Sequence, residues 1–296
     1  MEVRSLIEEI EQDRPLYEEK NFEKRIEAID FLEFHIIAQI NAMLQTASRS
    51  DELLVLKSRV EKLKSDLEKI DTDLFRKLRA DIRLKKYPGK DFFNLVNEYV
   101  DFDLADDERQ GKAGYDNLDI FINGLLSLQA MPEQTKALEP EMVFYQKTPA
   151  RIVFELVEKA QFTKDDIFID LGSGLGQAAI LVNLLAGITC KGIEFEPSFC
   201  DYARACAIEL NLPGVTFVNT DARKADYSEG TVFFMYTPFS GEMLRQVLEL
   251  LRKESLLRKI KIITYGPCTA EVTAQTWLHS GATSDNIYKL TVFTGL

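Results

Sequence analysis

The chain has 296 residues, 46% of them hydrophobic, enough for two modest domains or one large one with a sizeable core. Its 36 basic and 48 acidic residues leave a formal charge of −12, which makes a poor general-purpose nucleic-acid binder, because phosphate affinity comes mainly from Lys and Arg. No run of about 18 apolar residues exists, so no membrane span is expected, and MEVRSLIEEIEQDRP is too acidic to read as a signal peptide.

The four cysteines (Cys190, Cys200, Cys206, Cys268) form no CxxC pair, and His35 and His279 lie far apart. No metal site and no His-based nucleophile triad is expected. The thiols read as reduced and structural, in a cytoplasmic protein.

In chain order, residues 1–88 read as helical. Phe22, Ile26, Ile29, Ile36, Ile40 and Leu44 fall near one face of a helix over 22–46. TASRSDE supplies a loop and an N-cap. Then Leu53, Leu56, Val60, Leu63, Leu67, Ile70 and Leu74 recur at alternating steps of three and four, a heptad seam. A helix from there to Lys86 is about 50 Å long at 1.5 Å per residue. The favoured use of the seam is a helical hairpin within the chain; the alternative is a homodimer through residues 53–74.

YPGK at 87–90 ends this helix, and DFFNLVNEYV forms a short one. DFDLADDERQGKAGYDN reads as a surface loop, 118–129 as an apolar helix, and MPEQTKALEP as a linker. The domain boundary is expected near 140, with 1–140 a helical accessory region and 141–296 the main domain.

Beyond 150 the pattern changes. A helix at 152–160 precedes a strand at 167–170, and a helix follows at 176–186. CKGIEFE, GVTFVNTD, GTVFFMYTPF and KIKIITYGP read as further strands, separated by the helices SFCDYARACAIEL and about 241–253, and NIYKLTVFTGL alternates like a strand. Strands alternating with helices at this spacing predict a parallel sheet covered on both faces.

In such a sheet a ligand sits beyond the carboxyl ends of the strands. The first strand runs into DLGSGLGQ, with Gly172, Gly174 and Gly176 in the turn. Glycine suits a turn that needs positive φ and a close approach, and the next helix offers free N–H groups. The spacing is not that of a P-loop. Asp170, just before the glycines, would repel a pyrophosphate and attract an ammonium or sulfonium group. That points to S-adenosylmethionine. Glu194 ends the second strand, where an acid can accept both ribose hydroxyls. Asp221 ends the third strand, placed to accept the adenine amino group, with Phe195 and Ala222 against the ring. The competing reading of each acid is a cap on the following helix.

DDIFIDLGSGLGQ resembles the cofactor motif of class I S-adenosylmethionine-dependent methyltransferases, and in particular of the Dot1-like histone-lysine methyltransferases, including Gln177 after the last glycine. YQKT matches the Y-x-x-T element of those enzymes, which implies that Tyr145 and Thr148 contact the methionine end of the cofactor. The resemblance covers about residues 141–255 and implies a Rossmann-like, mostly parallel seven-stranded sheet. It implies a methyl acceptor near the end of the fourth strand. There the sequence departs from the pattern: where the relatives carry asparagines or an Asn/Asp-Pro-Pro-aromatic motif, this chain has Tyr236, Thr237, Pro238 and Phe239. The amide is missing, so backbone carbonyls of Tyr236 or Thr237, or the tyrosine hydroxyl, would have to hold the acceptor amine. Methyl transfer from an activated sulfonium rests mainly on positioning.

RKLRADIRLKKYPGK at 76–90 is strongly basic against the acidic background; it reads as a solvated helix face, with docking of an acidic substrate or RNA as the alternative. The expected activity is methyl transfer, with a protein lysine-like amine as acceptor. The alternatives are RNA or a small molecule as acceptor, or a non-catalytic interaction protein on the same fold.

Overall fold

A computed structural model of the chain describes residues 2–46, 51–104, 114–126, 130–281 and 286–295. The expected loop over TASRSDE, the middle of the acidic segment and the end of the helix at 118–129 lie partly outside the described residues. The chain forms two compact units, Met1–Ala80 with Leu95–Asp101, and Asp81–Asn94 with Phe102–Leu296.

The first unit begins with α1 (Glu2–Gln12) and a 3₁₀ turn at Arg14–Tyr17. Helices α2 (Phe22–Phe31) and α3 (Ala38–Thr46) are joined without a break by a π-helical stretch, Leu32–Ile37. Helix α4 spans Asp51–Arg83, 33 residues, as the heptad spacing predicts. Val60, Leu63 and Leu67 of the seam are buried in one cluster with Leu32, Ile36 and Ile40 and with Val3 and Ile7 of α1. The seam is thus used inside the chain, as a hairpin. Beside this core, Arg25 is fully buried. It meets Asp71 at 2.7 Å and donates to the carbonyls of Leu16, Glu18 and Glu19, so its charge is fully partnered.

The second unit is a seven-stranded sheet in the order β3-β2-β1-β4-β5-β7-β6. Helices α5 (Lys90–Asn97), α6 (Asn117–Leu126) and α7 (Ala150–Ala160) precede β1 (Ile167–Leu171). There follow α8 (Gln177–Ala186), β2 (Thr189–Glu194), α9 (Pro197–Glu209), β3 (Val215–Asn219), β4 (Val232–Met235), α10 (Gly241–Ser255) and β5 (Lys261–Thr264). Two elements escaped the sequence reading, the short helix α11 (Cys268–Thr273) and strand β6 (Leu278–Ser280); β7 is Thr291–Gly295. The first five strands pair in parallel, and β7 runs antiparallel to both β5 and β6. β1 lies centrally, and the order reverses on either side of it, so its carboxyl end is the switch point where ligands bind.

The basic stretch is largely neutralised within the chain. Arg76 pairs with Asp73, Lys77 with Glu19, Arg83 with Glu209 and Lys86 with Asp81. These contacts favour the solvated-face reading of 76–90. No described helix is long and apolar enough to cross a membrane.

Candidate active site

At the carboxyl end of β1 the chain turns on Gly172, Gly174 and Gly176, all with positive φ (76°, 51° and 83°). The turn is stapled to β2: the N–H groups of Gly172 and Ser173 donate to the Ile193 carbonyl, and Gly174 N–H donates to the Glu194 carboxylate at 2.6 Å. Side chains are also excluded there. A Cβ on Gly172 would come within 2.3 Å of Pro238, and one on Gly174 within 2.1 Å of the Tyr145 ring. The glycines therefore let two other site segments close on the turn.

What they close around is one cavity of about 1100 Å³ including its open mouth. Of the predicted residues, Tyr145, Gly172, Glu194, Phe195, Asp221, Ala222, Tyr236, Thr237, Pro238 and Phe239 line it. A small inner recess shares Tyr145, Gly172 and Tyr236 with it and adds Thr148, Asp170 and Gln177. Gly174 lies beneath Tyr145 rather than on either wall. Unforeseen lining residues include Tyr288, Met243, Thr220, Glu196 and a segment from Gln134 to Gln146. That segment has no periodicity, so its sequence carried no signal beyond YQKT.

The recess is polar and incompletely satisfied. The Ser173 hydroxyl and the Gln177 amide oxygen have no hydrogen-bond partner, while the Gln177 amide nitrogen donates to the Thr148 carbonyl at 2.7 Å. Asp170 is buried, and burial together with the nearby Glu194 pushes its carboxyl up to about 8. A buried acid without a cation is held neutral; a bound cation would restore its charge. Burial also raises the Tyr145 and Tyr236 hydroxyls, Tyr236 to about 12, so both stay protonated donors.

The three strand-end acids differ in their surroundings. Asp170 makes no cap. Glu194 accepts from Gly174 and, at 2.7 Å, from the Glu196 N–H; burial raises its pKa and these backbone donors oppose it. Asp221 lies beyond β3, which stops at Asn219. It caps a 3₁₀ turn, Ala222–Lys224, by accepting from Arg223 N–H, and the Arg223 guanidinium holds its pKa below the usual range. Its free valence toward a ligand is correspondingly smaller than that of Asp170.

At the other end of the cavity, β4 runs out into Tyr236–Phe239. Thr237 has φ 42°, a left-handed conformation that a β-branched residue rarely adopts. Its hydroxyl donates to the Tyr265 carbonyl and accepts from Cys268 N–H. The Pro238 carbonyl accepts from Val143 N–H and the Met235 carbonyl from Tyr265 N–H, so both are engaged. Tyr236, Tyr265 and Tyr288 cluster here, with ring centroids 5.2 Å and 5.9 Å apart in succession.

Residues 139–264 match the family model described as "Histone methylation protein DOT1". That match falls on the unit whose sheet order and glycine turn have just been described. The domain is a class I S-adenosylmethionine-dependent methyltransferase. Among solved structures, the methyltransferase is similar to an RNA methyltransferase from Salinibacter ruber in complex with S-adenosyl-L-homocysteine, at 23% identity over 51% of this chain and 92% of that one, TM-score 0.42. It is also similar to a SAM-dependent methyltransferase from Aquifex aeolicus, at 15% identity over 48% and 88%, TM-score 0.38. PH0226 protein from Pyrococcus horikoshii OT3 matches at 16% identity over 49% and 89%, TM-score 0.39. No curated protein sequence matches the chain.

The residues present fit S-adenosylmethionine. The acid and the unpartnered Gln177 and Ser173 oxygens suit its cationic amino-acid end. Glu194 and Phe195, at the carboxyl end of β2, suit its adenosine.

Proposed function

We propose that this methyltransferase transfers the methyl group to a lysine-like amine of a protein. The carrying observation is that one cavity joins the Glu194–Asp221 end to the Tyr236–Phe239 end, and that the latter is aromatic and uncharged. Such an end suits an alkyl amine, whose cationic form is attracted to tyrosine faces. The family's description as a histone methylation protein supports the same class.

In this reading Asp170, Tyr145, Thr148, Gln177 and the 172–174 turn hold the methionine end. Glu194, Phe195, Asp221 and Ala222 hold the adenosine. S-adenosylmethionine supplies the methyl group on an activated sulfonium. The acceptor amine, attracted as the ammonium, would have to lose a proton to water before its lone pair could take the methyl group. The Tyr236 hydroxyl and the backbone carbonyls of Tyr236 and Thr237 orient the amine; Pro238 and Phe239 shape the wall. Positioning supplies the rate. The functional division at residue 140, with 141–296 carrying the cofactor, belongs to the proposal, as does a cytoplasmic location; four buried free thiols suit a reducing compartment. Burial of the heptad seam favours a monomer over a homodimer through 53–74.

The test is transfer of radiolabel from S-adenosylmethionine into cell lysate. Label on protein, mapped to a lysine, supports the proposal. Nuclease-sensitive label would mean RNA, and dialysable label a small molecule. Cofactor binding without label in any fraction would mean an interaction protein.

A further inference from the structure

The segment Glu133–Gln146 crosses the cavity from end to end without forming a helix or strand. Irregular backbone of this length costs conformational entropy to hold in one place. Here it is tied down at every step. At the Phe195 end, Thr135 donates its N–H and its hydroxyl to the Glu196 carboxylate, at 3.0 and 2.6 Å, and Lys136 donates its N–H at 2.8 Å. The Lys136 ammonium donates to the Phe195 carbonyl and lies 4.4 Å from the centroid of its ring. Midway, Arg223 grips Asp221 and reaches both carboxylate oxygens of Glu139 at 2.9 Å. At the acceptor end, the Glu141 carboxylate accepts from the N–H groups of Glu242 and Met243 at the start of α10. Val143 N–H donates to Pro238, and Met142 bridges to Phe239. The next residues, Phe144 and Tyr145, form part of the cavity wall.

Glu196 is only 3% exposed; it lies two residues beyond the strand-end acid, borders the cavity and turns its carboxylate to the segment. Burial opposes its ionisation, but the donors from Thr135, Lys136 and Ser198 outweigh that and hold its carboxyl at about 2. The anchor is therefore charged at any working pH.

We infer that Glu196 and Arg223 are positioning residues for the cofactor: they fasten Glu133–Gln146 as a strap over the cavity, so that Tyr145 is delivered to the glycine turn already in place. This rests on the cofactor reading above. Preorganised walls raise affinity by removing the ordering cost from the binding step. Glu196 and Arg223 make no bond to Tyr236–Phe239, whose own ties to the segment run through Met142 and Val143, so the loss falls mainly on cofactor retention rather than on the transfer step.

A rival role for Glu196 is simply to cap α9, because it also accepts from Ser198 N–H. The variant Thr135→Val separates the two, since it removes a strap donor and leaves the cap. The experiment is stopped-flow dissociation of S-adenosylhomocysteine, with hydrogen exchange over 133–146, for wild type, Glu196→Gln, Thr135→Val and Arg223→Gln. The expected result is cofactor loss about tenfold faster in Glu196→Gln and Arg223→Gln and a smaller rise in Thr135→Val. Faster exchange over the strap should accompany each, with methyl transfer at saturating cofactor within about twofold of wild type. Unchanged dissociation and exchange in folded Thr135→Val and Arg223→Gln would overturn the strap, even if Glu196→Gln failed to fold. No binding by wild type would instead overturn the cofactor reading; strap exchange in the free protein would still decide the anchoring.

Discussion

The ring of Tyr145 occupies the space that a side chain on Gly174 would need: a Cβ there would sit 2.1 Å from Tyr145 Cε2. Two motifs separated in sequence, YQKT and GSGLG, thus fit together only because one of them lacks a Cβ. Gly174→Ala adds strain from φ 51° to that clash. It should destabilise the fold by about 1–3 kcal/mol and weaken cofactor binding at least about tenfold. Chemical denaturation and calorimetry on the same variant check both.

Asp170 gives a prediction in which stability and function move oppositely. Burial and the nearby Glu194 push its carboxyl up to about 8 in the folded protein, against about 4 for an unperturbed aspartate. Between these values the unfolded chain has lost its proton and the folded one has not, so the stability contributed by this group falls as pH rises from about 4 to about 8. The slope is at most about 1.4 kcal/mol per pH unit. Asp170→Asn removes the penalty. At pH 8 the cofactor-free variant should melt on the order of 5 °C above wild type while losing cofactor affinity.

The same group couples binding to pH. A cation in the recess requires the carboxylate, so binding must release the Asp170 proton below about 8. Affinity for S-adenosylmethionine should rise with pH from 6 to 8, by up to about tenfold per unit, and then level off. Titrations in buffers of different ionisation enthalpy measure the released proton directly. In Asp170→Asn that proton release should vanish.

Thr237 holds a left-handed backbone that only a glycine adopts without cost. Thr237→Gly relieves about 1–2 kcal/mol of strain but gives back about 1 kcal/mol in unfolded-state entropy and loses the hydroxyl's bonds to Tyr265 and Cys268, about 0.5–1.5 kcal/mol each. The melting temperature should fall slightly. Cofactor affinity should hold within about twofold, while methyl transfer falls, because the acceptor wall is no longer fixed. A separate loss of transfer without loss of binding is the signature to measure.

In the first unit, Arg25→Met leaves Asp71 buried, with its carboxyl already pushed up by burial and its second oxygen without a partner. The single change should destabilise the unit by about 3–5 kcal/mol. Arg25→Met with Asp71→Leu should recover much of it. Urea melts of the two variants test the order.

The sheet and the site were legible to different depths. Strands β1 to β5 announced themselves as apolar runs mostly alternating with helices, and the acids read at the ends of the first three marked the ligand side. The helix α11 and strand β6 did not, because six and three residues are too short to show a period. Asp221 looked like a strand terminus because VNTD continues the alternation; only the geometry shows β3 stopping at Asn219 and Arg223 engaging the acid. The strap was invisible for a different reason. MPEQTKALEP has the composition of a linker, and its role comes from tertiary contacts to Glu196 and Arg223 rather than from any local pattern. Arg25 was hidden likewise: a buried arginine on an acidic helix reads as surface until its partners are seen.

Calorimetric titration of S-adenosylmethionine and S-adenosylhomocysteine into the purified protein tests the assigned cofactor site most directly, with Asp170→Ala and Glu194→Ala alongside. Micromolar binding of both ligands to wild type, lost in each folded variant, is the predicted result. Binding retained in both variants, or no binding to folded wild type, would contradict it.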